Sequence, residues 1–256
     1  MQSTDDIKKS ILKNLRTLPI DKLQEVFEFT ERLQQNSSSE QSTPKQSLLI
    51  KSNRLPELVH PDTKIYLYRN FLDDGQPDRL YAELIEHIAW QQDLIKFYGR
   101  KIPLPRLTAW YGDDGVSYTY SGILMHPHPW TSTLSLVKSW IENKAQHQFN
   151  SVLLNQYRNG NDSVAWHSDD EPELGQDPII ASLSLGASRK FELRSRSQPN
   201  LDKIEILLNS GDLLIMGRGT QQNWQHQIPK MRKVKETRIN LTFRNIYPST
   251  EKVDSI

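Results

Sequence analysis

The chain has 256 residues, 36% hydrophobic and 25% charged, a length that suits one medium domain with an appendage rather than two full domains. Its 32 Lys and Arg oppose 31 Asp and Glu, a formal net charge of +1, so any surface that grips a polyanion must be a local patch. There is no cysteine, no apolar run long enough to span a membrane and no apolar signal core after Met1, so disulfides, Cys-ligated zinc and a membrane partner are excluded and a cytoplasmic protein is expected.

Residues 1–35 predict two helices. Ile7, Ile11 and Leu15 recur at helical spacing behind a cap at Thr4 or Asp5, and Pro19 breaks the run. Asp21 and Gln24 form a capping box, and Leu23, Val26, Phe27, Thr30 and Leu33 share one face. This helical hairpin either packs its stripe on the main domain or serves as a partner or dimer contact. Gln34 to Gln46 is polar and low in complexity, and residues 36–62 are assigned as a flexible linker.

Lys64 to Tyr68 alternates like a strand. Asp78 to Trp90 carries Leu80, Leu84, Ile85 and Ile88 at helical spacing. Phe97 and Tyr98 precede Gly99. Pro105 to Ser121 interleaves Arg106 with Trp110, Tyr111, Tyr118 and Tyr120, a mixture suited to base stacking and phosphate contact, or to an ordinary core. His126-Pro127-His128-Pro129 imitates a metal-ligand pair, but its prolines impose a turn-like segment and no third ligand is near in sequence, so it reads as a surface loop.

Thr131 to Gln146 predicts a helix with Leu134, Val137 and Ile141 on one side. Strands follow at Ser151 to Tyr157, Val164 to Ser168, Ile179 to Leu185, Lys190 to Arg194, Ile204 to Leu208, Leu213 to Met216 and Thr237 to Arg244, with turns at Gly160 and Ser210-Gly211-Asp212. Many short strands with turn signals predict an α+β, mainly β fold: a double-sheet jelly roll.

Chemistry concentrates in the last hundred residues. His167 and Asp169 are two apart, so on a strand they project to one face. His226 is the best third ligand. Two histidines and one carboxylate on one face of an iron leave its other positions open, as in non-haem Fe(II) oxygenases. In Arg238 to Arg244, Arg238, Asn240, Thr242 and Arg244 share one strand face and Ile239, Leu241 and Phe243 the other. The polar face is either the solvated side of an edge strand or a cradle for a small dicarboxylate held by Arg forks.

The segments Pro105 to Gly112, Tyr118 to Ser121, Asn155 to Glu171, Ile179 to Ala187 and Arg238 to Arg244 resemble the AlkB family of Fe(II)/2-oxoglutarate-dependent dioxygenases. The likeness is to the animal homologues that act on single-stranded DNA and RNA, and it runs in order from about Arg100 to Pro248. The resemblance implies a double-stranded β-helix, cupin-like, with buttressing helices over residues 63–248 and a tail at 249–256. It implies Fe(II) on His167, Asp169 and His226, with O₂ as second cosubstrate. It implies 2-oxoglutarate on Asn155, Tyr157, Arg238, Asn240, Thr242 and Arg244.

For the substrate, the resemblance implies contacts from Arg106, Tyr118, Tyr120, Ser121, Asp170 and Glu171. Tyr120 and His167 would sandwich the base, and Asp170 would meet the exocyclic amine. Phe97 and Tyr98 are candidates for a finger that enters the base stack, or are ordinary strand aromatics. The implied activity is oxidative removal of alkyl groups from bases of the 1-methyladenine and 3-methylcytosine type in DNA or RNA, releasing formaldehyde, succinate and CO₂. The target atom lies inside the base, so the nucleotide must be single-stranded or flipped. Arg189, Lys190, Arg194, Arg196, Lys230, Arg232, Lys233 and Lys235 give the second half a basic excess, either phosphate contacts or a solvated face. Two other readings stand beside this one: the same oxygenase with a protein or small-molecule substrate, and a binding module without catalysis.

Overall fold

The computed structural model describes residues 56–247 except 62, 74, 98, 99, 117, 121, 122 and 199; residues 95–100 and 117–125 are described by backbone alone where they are described. The expected N-terminal hairpin, most of the linker, Tyr98, Ser121 and the tail fall outside these residues.

In chain order the first strands are Glu57–Leu58 (β1) and Ile65–Tyr68 (β2), followed by helix Gln76–His87 (α1). Then come Leu94–Phe97 (β3), Arg100–Pro103 (β4), Leu107–Gly112 (β5), Tyr118–Tyr120 (β6), Ile123–Met125 (β7) and His128–Pro129 (β8). Helix Ser132–Ala145 (α2) leads to Ser151–Tyr157 (β9) and Val164–His167 (β10). The remaining strands are Ile180–Gly186 (β11), Arg189–Ser195 (β12), Ile204–Leu208 (β13) and Leu213–Met216 (β14). A short helix, Thr220–Asn223 (α3), then delivers Trp224–Ile228 (β15), and Arg238–Arg244 (β16) closes the fold.

Two sheets hold the structure. The larger runs β1-β2-β14-β11-β16-β9-β5-β8 and the smaller β10-β15-β12-β13. All named neighbours within them are antiparallel except β5 with β8, the arrangement of a double-stranded β-helix. α1 and α2 cover one face of the large sheet. There Leu80, Leu84, Leu134, Val137 and Ile141 pack on Leu154, Leu241 and Phe243. The facing surfaces of the two sheets close around Ile180, Leu214 and Met216 against Leu193, Leu208 and Trp224. The large sheet is therefore covered on both sides.

Local chemistry explains the boundaries. The Thr131 hydroxyl accepts from the Leu134 amide at 3.1 Å and caps α2; Gln146 ends it in the left-handed region, φ 50°. Sequence spacing placed this helix at Thr131 to Gln146, within one residue of its ends at Ser132 and Ala145. α1 starts at Gln76, with Pro77 in its first turn, and gives way at Ile88 to extended backbone. Glu57 and Leu58, at the end of the span assigned to the linker, pair with Leu67 and Tyr66. His128–Pro129 forms a short, exposed edge strand beside Tyr111–Gly112 rather than a plain loop. It carries no metal cluster among the described residues.

Gly160 is needed for a close approach. The 158–163 turn and the 229–237 loop are tied by Met231 N–H to Gly160 O and Gly160 N–H to Val234 O, and a Cβ at 160 would sit 1.7 Å from the Met231 carbonyl oxygen. Gly160→Ala is expected to destabilise by roughly 2–4 kcal/mol, read as a lower Tm; an unchanged Tm would mean that the two loops are not held together.

Candidate active site

The polar alternation of β16 points inward. Arg238, Asn240 and Thr242 are 0%, 7% and 9% exposed, because β16 is a central strand and its apolar face is taken by the helices. Register extends the polar stripe sideways. Thr108, Asn155, Asn240 and Ser184 lie abreast on four neighbouring strands, and Trp110, Leu153, Thr242 and Ser182 form the next row. The side chains are knitted together: Asn240 Nδ2 donates to Ser182 Oγ at 3.0 Å, Arg238 Nη2 to Ser184 Oγ at 2.9 Å and to Asn240 Oδ1 at 3.0 Å, and Arg106 Nε to Asn155 Oδ1 at 2.7 Å. Arg106, Asn155, Ser182 and Asn240 border a cavity of about 510 Å³, within the range of small-ligand sites.

His167 and His226 face this cavity from the smaller sheet, and Asp169 faces it from the turn after β10. One ligand atom from each lies within 4.8 Å of the others. β10 pairs with β15 so that His167 stands opposite His226, with ring centroids 4.2 Å apart. The His167 Nδ1 hydrogen bonds to Ala165 O at 2.8 Å. This fixes the proton on Nδ1 and leaves the Nε2 lone pair for a metal. Asp169 does not continue the strand, which ends at His167; it reaches the site from the following turn and receives Arg244 Nη2 on Oδ1 at 2.9 Å.

Burial alone would raise the Asp169 carboxyl. The Arg244 guanidinium and the two imidazoles outweigh it and hold the group down at about 2. Burial, helped by His167, pushes His226 down to about 3. The site thus presents an ionised carboxylate and a neutral imidazole at neutral pH, the forms a metal requires. His226 Nδ1 is also buried without a hydrogen-bond partner. The donor set fits a divalent cation.

These shifts carry a stability consequence for the metal-free protein. Between pH 6.5 and about 3 the unfolded chain protonates His226 while the native chain does not, so stability falls as pH falls across that window. Asp169, depressed from 3.8 to about 2, extends the loss below pH 4. Chelator-treated protein is expected to lose on the order of 1 kcal/mol per pH unit from pH 6 to 4, and His226→Gln should flatten that slope.

Comparison with known proteins agrees with this geometry. The family model described as "2OG-FeII_Oxy_2: 2OG-Fe(II) oxygenase superfamily" matches residues 64–244. The chain is 45% identical over 194 residues to alpha-ketoglutarate-dependent dioxygenase alkB homolog 3 of Homo sapiens, covering 73% of this chain and 67% of that protein. It is 34% identical over 188 residues to DNA oxidative demethylase ALKBH2 of Homo sapiens, covering 70% and 72%.

The chain belongs to the AlkB family of 2OG-Fe(II) oxygenases.

It spans about two thirds of the length of alkB homolog 3 from mouse, rat, human and cattle. The solved structure of OsALKBH1 shares the fold, with a TM-score of 0.52 at 16% identity over 73% of this chain and 98% of that one. Fe(II) and 2-oxoglutarate are what this superfamily uses, and the His167–Asp169–His226 group is where this AlkB-family chain could hold the metal.

The other expected site residues divide. Asn155, Tyr157, Asn240, Thr242, Arg244, Arg106 and Glu171 line the cavity. Arg238 does not, although its neighbours Tyr157 and Asn240 do; its guanidinium is fully buried, Nε and Nη1 make no hydrogen bond of good geometry, and the Tyr157 ring lies 5.2 Å from Cζ. Burial lowers its pKa to about 10, still charged at neutral pH. Asp170 is misplaced for the expected amine contact: it is exposed and ion-paired with Arg196 at 2.8 Å. Glu171 occupies the cavity wall instead. Tyr118, Tyr120 and Phe97 lie on strands whose side chains fall outside the described residues.

Arg189 is a second correction. It is 1% exposed and donates to the Asn159, Asp162 and Pro229 carbonyls, so it ties loops together and cannot meet a phosphate. Lys230, Arg232, Lys233 and Lys235 are exposed on the 229–237 loop. Sequence reasoning missed Ser182 and Ser184, though their alternation in Ile180–Gly186 carried the same signal as that of β16. It also missed Asp93, which lines the cavity and accepts from Thr108 Oγ1; no local pattern marks it.

Proposed function

We propose that the chain is an oxidative nucleic-acid demethylase that repairs N-alkylated bases, of the 1-methyladenine and 3-methylcytosine type, in DNA or RNA. The observation that carries the reading is the His167–Asp169–His226 group, with Asp169 and His226 buried and His167 partly exposed, facing a cavity whose opposite wall is a polar, arginine-bearing sheet face. The relatives named alpha-ketoglutarate-dependent dioxygenase and DNA oxidative demethylase support it.

In this reading His167, Asp169 and His226 hold Fe(II). Arg244 keeps Asp169 ionised and aimed. The stripe of Asn155, Asn240 and Thr242 orients 2-oxoglutarate, with Tyr157 and Arg238 at its far carboxylate, where unmade guanidinium donors suit an anion. Bound there, the metal and its cosubstrates supply oxidation of an N-alkyl C–H bond, with 2-oxoglutarate leaving as succinate and CO₂. The hydroxylated methyl group leaves as formaldehyde, restoring the base. Trp110, packed with Val116, Leu174 and Ile246, gives the cavity an apolar end for a flipped base, and Glu171 offers a carboxylate to a cationic one.

The test is formaldehyde and succinate release with Fe(II), 2-oxoglutarate and a single-stranded oligonucleotide bearing 3-methylcytosine, beside an unmodified control. Lesion-dependent release is expected. Succinate release indifferent to the lesion would remove the substrate assignment and leave the oxygenase chemistry.

A further inference from the structure

Asp169 lies beyond the end of its strand. β10 ends at His167, so no ladder hydrogen bond fixes the Asp169 backbone. Its N–H points instead at Gln221 Oε1, 3.0 Å away, and both residues are buried, 3% and 1% exposed. Gln221 lies on α3, the single turn that runs straight into β15 and His226. The residues flanking Asp169 are tied to the same turn: Ser168 Oγ donates to Trp224 O at 2.9 Å, and Arg196 Nη1 bridges Asp170 at 2.8 Å and Gln221 O at 3.2 Å. Three consecutive residues of one ligand segment are therefore fastened to the segment that carries another ligand.

A buried amide is costly unless it bonds well. The other end of Gln221 meets only Met216 Sδ at 3.6 Å. The strong bond it makes is to Asp169.

We propose that Gln221 is a positioning residue of the metal site: its amide sets where the Asp169 backbone stands relative to His226, and thereby the affinity for the ion. The inference rests on the reading of His167, Asp169 and His226 as metal ligands. Groups that orient ligands from behind typically govern affinity by about 10–100-fold.

The experiment uses the full-length chain, freed of metal by a chelator and titrated with Mn(II), with the Tm of the metal-free protein measured in parallel. Gln221→Met keeps the volume and removes the acceptor. Gln221→Glu, kept neutral by burial, retains an acceptor oxygen. The expected result is Mn(II) binding weakened about 10–100-fold in Q221M and restored to within about threefold of the parent in Q221E, with the two metal-free variants melting alike. Unchanged Mn(II) binding in Q221M would overturn the proposal. So would equal loss in both variants in step with a lowered Tm, which would make Gln221 a core plug. Failure of the parent chain itself to bind Mn(II) would instead overturn the ligand assignment beneath it.

Discussion

Asp169→Asn is expected to abolish lesion-dependent turnover, lowering kcat/KM by at least about 1,000-fold, and to remove measurable Mn(II) binding. The substitution keeps the side-chain volume and deletes the charge. Asp169 Oδ1 stands 2.9 Å from Arg244 Nη2 and 3.8 Å from His167 Nε2, and it supplies the anionic ligand of the three-residue group. A 1,000-fold loss corresponds to about 4 kcal/mol of transition-state stabilisation, the scale of removing the one anionic ligand that holds the ion. The amide would also leave Arg244 facing the metal site without its counter-charge. A variant that retained turnover within tenfold of the parent would exclude Asp169 from the ligand set.

Arg238→Lys is expected to raise the KM for 2-oxoglutarate by about 100-fold or more while leaving Mn(II) binding unchanged. A lysine keeps the positive charge but not the two-toothed geometry that matches a carboxylate. It also loses one of the donors now shared between Ser184 and Asn240. The split between cosubstrate and metal is the informative part, because Arg238 lies at the opposite end of β16 from the Arg244–Asp169 pair. Loss of the dicarboxylate anchor should also narrow the preference for 2-oxoglutarate over a 2-oxo monocarboxylate. Unchanged 2-oxoglutarate kinetics would make Arg238 a purely structural buried cation held among Tyr157, Ser184 and Asn240.

Much of the scaffold was legible in the sequence because alternation and helical spacing are local properties. Ser151–Tyr157, Ile204–Leu208 and Leu213–Met216 matched their expected bounds, and α2 was found to within one residue at each end. β5 went unassigned: every one of its residues is at least half-buried, covered by helices on one face and lining the cavity on the other, so its pattern alternates weakly. His226 was chosen as a ligand without a strand to carry it; β15 became visible only through its pairing with β10 and β12.

By itself, the sequence determined the ligand types, their order along the chain and the two faces of β16. It could not decide which face turned inward. Ordinary patterning sends the apolar face to the core and the polar face to water. Here α1 and α2 take the apolar face, the second sheet closes over the polar one, and the arginines end inside the protein, Arg244 on the cavity wall and Arg238 buried, rather than in solvent. The same holds one level down. That Glu171 rather than Asp170 reaches the cavity, and that Gln221 holds the Asp169 amide, depends on how a turn after His167 meets a turn before His226. Those segments are some 50 residues apart, with Asp169 and Gln221 separated by 52, and no local pattern couples them. Periodicity reports the direction of a side chain relative to its own backbone, whereas a site is a relation between backbones, which only packing sets.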